Sequence, residues 1–381
     1  MTVQAREVPR RRPADRRAQI LAAAARRFRR DGYHQVAMAD IAEDVGIRAG
    51  ALYRHVRSKE ELLLTVLEGQ LARMEEVASA SADPVAALAA HTADLREFGA
   101  LWGREAGHLR PEARRAVRHR LRGIAATVAA GIPAAPADQR DLRSWAALSV
   151  LDSPAHHGMD VDPDRLSAVL LGAARAVCSA PLPEADGVVA PMDGGLRPAS
   201  RREALLGVAA RLFAERGYPS VGLDDIGAAA GIAGPSVYNH FASKADVLAS
   251  VLQRGNEALW LTLHHDLARA TDPADALRRL AARYSAFVAD DPAIVGVLLS
   301  EVVHVPADLR STFRRAQRDY VSEWVALLRR DRPDRDEAEC RLRAHAALSV
   351  VNSLCRIPHL RARPGHVAHT AALAVATLDL D

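Results

Sequence analysis

The chain contains a long stretch of itself. Residues 16–67 read RRAQILAAAARRFRRDGYHQVAMADIAEDVGIRAGALYRHVRSKEELLLTVL, and residues 201–252 read RREALLGVAARLFAERGYPSVGLDDIGAAAGIAGPSVYNHFASKADVLASVL. They align without a gap at a constant offset of 185, with 21 of 52 positions identical. Composition alone could produce the alanine and arginine matches. It does not account for Phe28/Phe213, Gly32-Tyr33/Gly217-Tyr218, Tyr53/Tyr238, His55/His240 and Ser58-Lys59/Ser243-Lys244. Fainter echoes follow downstream. Glu105 and His108 match Glu301 and His304 at an offset of 196, and AALSV recurs at 146–150 and 346–350, an offset of 200. The second copy therefore carries extra length between its head and its tail. Such a period is far longer than the about 20–45 residues of a solenoid repeat. The duplication is of a whole multidomain unit.

Between the copies lies PLPEADGVVAPMDGGLRPAS, residues 181–200. Its prolines and glycines and its lack of helical period read as a linker. Fully extended, about 19 residues span at most roughly 60 Å, enough to run along the side of a neighbouring domain.

A chain of 381 residues accommodates two or more domains. Apolar residues make up 49% but aromatics only 4%, so the cores must be built from Ala, Leu and Val. That composition, with few β-branched runs, favours an all-α fold. Cys178, Cys340 and Cys355 form no CxxC or Cys/His cluster, which argues against a disulfide scaffold or a zinc site and fits a reducing compartment. No apolar run reaches the about 18 residues of a membrane span. The N-terminus is Arg-rich without an apolar core segment, so it does not read as a signal peptide. Residues 1–30 hold ten arginines against Glu7 and Asp15, a net +8, which leaves −4 for residues 31–381. Positive charge gathered at one end suits a polyanion such as nucleic acid; a solvated basic tail is the other reading.

In the first copy Ile20, Leu21, Ala24 and Phe28 follow helical spacing, and Gly32 is placed as a C-terminal glycine cap. A second helix is expected from about Met38 to Val45, a tight turn at Gly46-Ile47, and a third helix from about Ala49 to His55. Ser58 caps a fourth beginning near Lys59, with Glu60 and Glu61 in its first turn, where carboxylates suit the helix dipole. Two short helices joined by a glycine turn within a three-helix head form a helix-turn-helix. Its second helix enters the major groove, where each base pair presents a distinct pattern of donors and acceptors.

The pattern I–A–F–GY–IA–G–I–Y–H–SK–L, present twice, resembles the signature of the TetR family, a helix-turn-helix head followed by a helical ligand-binding and dimerisation domain. The resemblance implies that Tyr53, His55 and Lys59, and in the second head Tyr238, His240 and Lys244, contact phosphates of double-stranded DNA. Lys59 and Lys244 stand at helix N-termini, where free N–H groups and the dipole already favour a phosphate. For the two tyrosines, packing inside the head is the competing role. Two positions depart from the family pattern. The usual Ser or Thr cap of the second helix is Ala37 or Gly222, and the usual Ser before the recognition helix is Arg48 or Ala233. The recognition segments also differ from each other: Arg48, Ala49, Gly50, Tyr53, Arg54 and His55 in one, Ala233, Gly234, Ser236, Tyr238, Asn239 and His240 in the other. Arg48 or Arg54 suits guanine and Asn239 suits adenine, so the operator is expected to be an imperfect palindrome with unlike half-sites.

The resemblance divides the chain into a basic arm (1–14), a first head (15–62), a first helical regulatory domain (63–180), a linker (181–199), a second head (200–247) and a second regulatory domain (248–381). Prolines punctuate both helical regions. Family members dimerise through their last two helices, expected here at about 137–152 with 163–179 and 334–355 with 364–379. These surfaces can pair within one molecule as a pseudo-dimer, or between chains as a homodimer with four heads. The family also couples a small-molecule inducer to the spacing of its heads. Candidate pocket residues are Phe98, Trp102, His108 and Trp145 in the first domain, and Tyr284, Phe287, Glu301, His304, Phe313, Tyr320 and Trp324 in the second, each also readable as plain core. The stretch Glu301–Arg310 with Phe313 resembles members that regulate lipid or acyl-CoA catabolism, which makes such a compound the expected effector. No cofactor or metal is expected.

The sequence carries no GxSxG, HExxH, P-loop or dinucleotide fingerprint, which argues against an enzyme. The neighbouring pairs His156-His157 and His264-His265 do not face the same way on a helix. The expected function is a cytoplasmic, ligand-responsive repressor; a structural, nucleoid-type DNA-binding protein without an inducer is the alternative.

Overall fold

The computed structural model describes residues 13–132, 134–184 and 198–380. Most of the expected basic arm, and residues 185–197 of the expected linker, lie outside the described residues. Among the described residues the regular structure is helical, without a strand. The chain divides into two compact bodies, residues 1–76 with 93–123, and residues 77–92 with 124–381. The division does not follow the copy boundary, because the last two helices of the first copy belong with the whole of the second.

In the first body α1 (Pro13–Asp31) buries Ile20, Ala23, Ala24 and Phe28 completely. Gly32 ends it at φ +81, with its N–H bonded to the Phe28 carbonyl at 3.0 Å, a conformation that costs a residue without Cβ little. α2 (Met38–Asp44) starts at Ala37, whose side chain offers no cap. Asp40 compensates by accepting the Ala37 N–H at 2.8 Å, half of a capping box. After the turn at Gly46, α3 runs only from Ala49 to Leu52, three residues short of the expected His55. The N–H groups of Arg54 and His55 reach carbonyls three residues back, at 3.3 and 2.9 Å, so the recognition segment tightens instead of continuing as α-helix. α4 (Lys59–Ser79) is capped by Ser58, whose Oγ accepts the Glu61 N–H at 3.1 Å.

α5 (Pro84–Ala89) lies in the second body and α6 (Thr92–Glu105) in the first. α7 (Pro111–Ala130) is tied to α4 by Arg120, which forks onto Glu75 at 2.8 and 2.6 Å.

The second body adds α8 (Arg140–Asp152) and α9 (Pro163–Ser179). The second head follows as α10 (Arg201–Arg216), α11 (Leu223–Ala230), α12 (Gly234–Val237) and α13 (Lys244–Leu267). Then come α14 (Pro273–Asp290), α15 (Pro292–Ser300), α16 (Ala307–Asp331), α17 (Glu337–Leu354), the short α18 (Pro358–Arg361) and α19 (His366–Leu378). α15 can approach α13 closely because Gly255 faces it: a Cβ there would meet Ile294 at 2.6 Å and Leu298 at 2.7 Å. The second head and this region share one core, in which Leu206, Phe213, Ile226 and Val251 join Val297, Val302, Val305 and Phe313.

The two pairs of terminal helices pack together, α8 and α9 against α17 and α19. Their facing residues are small or aliphatic and almost fully buried, among them Ala146, Ala147, Val150, Ala173, Ala174, Ala346, Ala347, Val350 and Ala374. Small side chains let helix axes come close, and burying them supplies the apolar driving force. The C-termini of α9 and α19 are held in the same manner. Arg143 Nη1 donates to the Val177 carbonyl at 3.0 Å, and Arg343 Nη1 to the Thr377 carbonyl at 3.1 Å. Both guanidinium groups are buried, and each supplies donors and positive charge where a helix leaves carbonyls unpaired.

Candidate nucleic-acid interface and effector region

The exposed edge of each head is built from the recognition segment and the start of the following helix. Leu52, Ile41 and Val56 anchor α3 inward, each almost fully buried, which turns Arg48, Gly50, Tyr53, Arg54 and His55 outward, with Ala49 half-buried. In the second head Val237 and Phe241 do the anchoring. Ala233, Tyr238 and Asn239 are exposed there, and Gly234, Ser236 and His240 are half-buried. Tyr53 and Tyr238 are 53% and 61% exposed, too much for rings that serve the head's own core. In the first head a concavity of about 560 Å³ lies beside this edge, lined by Val36, Ala37, Met38, Ala39, Ala49, Tyr53, Arg57, Ser58 and Lys59. It brings together the N-termini of α2, α3 and α4 with a phenol and an ammonium, groups that suit a phosphate oxygen.

The two lysines are engaged within the protein. Lys59 Nζ donates to the carbonyls of Tyr33 and Val36 at 2.8 and 3.0 Å and sits 4.4 Å from the centre of the Tyr33 ring. Lys244 repeats this on Tyr218 and Val221 at 2.9 and 2.8 Å, with its ammonium 4.1 Å from the Tyr218 ring. Burial holds the Lys244 ammonium below the usual lysine range, opposed by the charge of Asp225. Each lysine thus clamps the turn after the first helix with two of its three donors and rests its charge against the tyrosine ring.

Each tyrosine also meets a histidine from the helices that follow its head. Tyr33 stacks on His108 at 4.7 Å, and Tyr218 on His304 at 5.2 Å. Beside each histidine stands a buried carboxylate. Glu105 lies 3.4 Å from His108, and Glu301 accepts the Tyr218 N–H at 3.2 Å. Burial pushes the Glu105 carboxyl up, but His108, Arg104 and the Tyr33 N–H together hold it below the usual range. The lysine–tyrosine–histidine–glutamate cluster thus joins each head to the helices that follow it. The role of Glu105 in this junction is absent from the sequence reading, although its repeat at Glu301 was a usable signal.

Of the remaining candidate pocket residues the structure brings some together and separates others. His108 and His304 stand at these junctions. Phe98 and Trp102 stack at 6.2 Å in the first body, whereas Trp145 belongs to the second. Tyr284, Tyr320 and Trp324 form one buried cluster with ring spacings of 6.2 and 6.4 Å, and Phe287 packs against it. Phe313 lies in the core shared with the second head instead. Trp260, which the sequence reading overlooked, closes the cluster edge-on to Tyr320 at 6.2 Å. The cluster carries a few polar groups: Tyr284 Oη donates to Asn352 Oδ1 at 2.9 Å, and the buried Asp266 stands 3.6 Å from Arg283. Burial pushes the Tyr284 phenol up to about 12, so it remains a donor. Among the described residues no group of His, Cys, Asp and Glu is arranged to hold a metal ion, and no helix is long and apolar enough to cross a membrane.

Comparison with known proteins matches the sequence of both heads to one family. The sequence profile of "Bacterial regulatory proteins, tetR family" matches residues 20–66 and again residues 205–251. The chain is 32% identical over 140 residues to the HTH-type transcriptional repressor KstR2 of Rhodococcus jostii (strain RHA1), which covers 36% of this chain and 68% of that protein. It is 35% identical over 91 residues to the HTH-type transcriptional activator FasR of Mycolicibacterium smegmatis, covering 24% of this chain and 42%, less than half, of that relative. A TetR-family transcriptional regulator from Bordetella parapertussis 12822 aligns with 48% of this chain and 94% of its own, at 20% identity and a TM-score of 0.43. Two profile matches in one chain, and a match over more than two thirds of KstR2, show that this chain belongs to the TetR family of bacterial regulatory proteins.

Proposed function

We propose that the chain is a cytoplasmic, effector-responsive transcriptional repressor that binds double-stranded DNA as a single-chain pseudo-dimer. The observation that carries this reading is the packing of α8 and α9 on α17 and α19 within one molecule. A surface that would otherwise join two subunits is occupied from inside the chain, leaving two heads per molecule. The operator is an imperfect palindrome: Arg48, Ala49, Gly50 and Arg54 read one half-site, and Ala233, Gly234, Ser236 and Asn239 the other. Tyr53, His55 and Lys59, with Tyr238, His240 and Lys244, hold the phosphates.

The effector is a small lipid or an acyl-CoA. The aromatic cluster around Tyr284, Tyr320 and Trp324, apolar with a few convergent polar groups, supports an apolar ligand in the second copy. In the first copy the stacked pair Phe98 and Trp102 supports a separate apolar contact for such a ligand. Binding there reaches the heads through the junctions at Glu105–His108 and Glu301–His304, a coupling between two sites.

The test is the mass of the protein, alone and on an operator selected from random DNA, with Tyr53→Ala and Tyr238→Ala alongside. One chain per operator, with binding lost in either variant, supports the proposal. Two chains per operator, or indifference to one substitution, overturns it. Release of a reporter operator by added acyl-CoA or fatty acid tests the effector class separately.

A further inference from the structure

The contact between the two copies has a symmetry that the sequence lets one check residue by residue. Residues 136–180 correspond to 336–380 without a gap at an offset of 200: Leu142-Arg143 recurs as Leu342-Arg343, and AALSV as AALSV. Ser349 Oγ donates to the Ser149 carbonyl at 2.9 Å, and these residues hold the same place in the two copies. A contact between a position and its own counterpart lies on the two-fold relation between the halves. Every other contact across the interface therefore has a mate, found by exchanging the copies.

The polar contacts lack equivalent mates. Arg165 pairs with Asp336, and the mate positions are Gly365 and Pro136. His359 Nε2 lies 3.0 Å from Asp141 Oδ2, and the mates are Met159 and Arg341. Arg363 donates to the Asp138 carbonyl, where the mates are Pro163 and Ala338. His157 and His345 face each other with ring centres 4.5 Å apart, where the mates are Ile357 and Trp145.

We propose that this surface recognises the unlike half of its own chain and discriminates against a second copy of either half. Two first halves would set Arg165 against Pro136 and Asp141 against Met159, so no ion pair forms. Two second halves would set Arg341, in place of the carboxylate of Asp141, against His359, and Asp336 against Gly365. Exposed ion pairs shift an equilibrium by at most about fivefold each. Their loss together, in either wrong pairing, multiplies into a preference built from contacts that only the unlike halves can make. The shared apolar helices supply adhesion in every pairing, and the polar rim selects among them. The consequence is that the two unlike recognition segments stay joined one to one. The inference rests on the same helix pairing as the single-chain reading, but not on DNA binding.

Cysteines at the symmetry position give the test. Ser149→Cys, Ser349→Cys and the double variant are made in the full chain and oxidised with diamide, with the wild type as the background for Cys178, Cys340 and Cys355. Non-reducing electrophoresis and mass measurement read the products, and circular dichroism checks the fold. The double variant is expected to close a disulfide within one chain, at the mass of a single 41.0 kDa chain. Either single variant is expected to give no covalent dimer above the wild-type background, because its cysteine never meets its own copy. Covalent dimers of any of the three variants, or no cross-link in the double variant, overturn the proposal. Loss of DNA binding by either head leaves these outcomes unchanged, so the reading as a DNA-binding regulator and this inference fail separately.

Discussion

Lys244 holds its ammonium 4.1 Å from the centre of the Tyr218 ring while donating to the carbonyls on either side of the turn that Tyr218 begins. Lys59 and Tyr33 repeat the arrangement, so both lysines hold the turn after the first helix of their head, whether or not they also meet a phosphate. A charge-assisted hydrogen bond contributes about 1.5–3 kcal/mol, and two are made here in a half-buried site. Lys244→Met should lower stability by about 2 kcal/mol, allowing for the partial exposure of the group. Urea unfolding checks the stability loss and DNA titration the affinity. A variant that loses affinity at unchanged stability would restrict the lysine to phosphate contact.

The two tyrosines at the ends of the recognition segments should behave in the opposite way. Tyr53 and Tyr238 are more than half exposed, and removing such a side chain changes stability by about 0.5 kcal/mol or less. Tyr53→Phe and Tyr238→Phe should each weaken operator binding by about tenfold, the cost of one hydrogen bond to a charged group. The loss should be similar across operator sequences, since phosphate contacts carry no sequence information. Fluorescence anisotropy on operators with one altered half-site separates this from base reading, where Asn239→Ala should relax specificity in one half only.

The repeat makes the heads legible in the sequence. Gly32, Gly46 and the Ser58 cap fix where helices stop and start, and those are local rules. The recognition helix is shorter than its pattern suggests because its tightening after Leu52 depends on backbone pairing that no side-chain pattern announces. The candidate pocket residues are harder to place, because an aromatic on a helix does not say which neighbour it will meet. Tyr284, Tyr320 and Trp324 share a cluster, while Phe313, only seven positions before Tyr320, turns into the core of the head. His108 and His304 repeat for a reason that the sequence leaves open: they stack on the tyrosine of the head.

Arg143 offers a test of what closes the α8–α9 pair. It is almost fully buried and donates to the carbonyls of Val177, Cys178 and Ala180 and to Gln139 Oε1. No carboxylate among the described residues pairs with it; the C-terminus of α9 receives its charge. Arg143→Met keeps the length of the side chain and strands those acceptors, so stability should fall by about 3 kcal/mol. Arg143→Lys should recover part of the loss, since one ammonium cannot reach all the acceptors a planar fork reaches. An unfolding midpoint unchanged in Arg143→Met would mean that water satisfies these carbonyls.

A half-buried histidine, His345, and a buried one, His366, tie stability to pH. Burial drives His345 down to about 4, with Arg341 and His156 adding to the effect, and it drives His366 down to about 4, with Arg361, His369 and Arg363 adding. His345 also faces His157 across the helix pairing. Both histidines are neutral in the folded and unfolded chain well above the ordinary histidine value near 6.5, so they contribute no pH dependence there. As pH falls below that value the unfolded chain takes up protons that the folded chain refuses, and stability is lost down to about pH 4, where the loss levels off. Each group can account for up to about 3 kcal/mol across that window. Thermal unfolding between pH 7.5 and pH 5.5 (about one unit either side of the ordinary histidine value) should therefore show a falling midpoint. His345→Leu should flatten the fall by about half. If the slope is the same in that variant, the groups that resist protonation lie elsewhere, and His345 is a neutral packing residue with no part in the acid response.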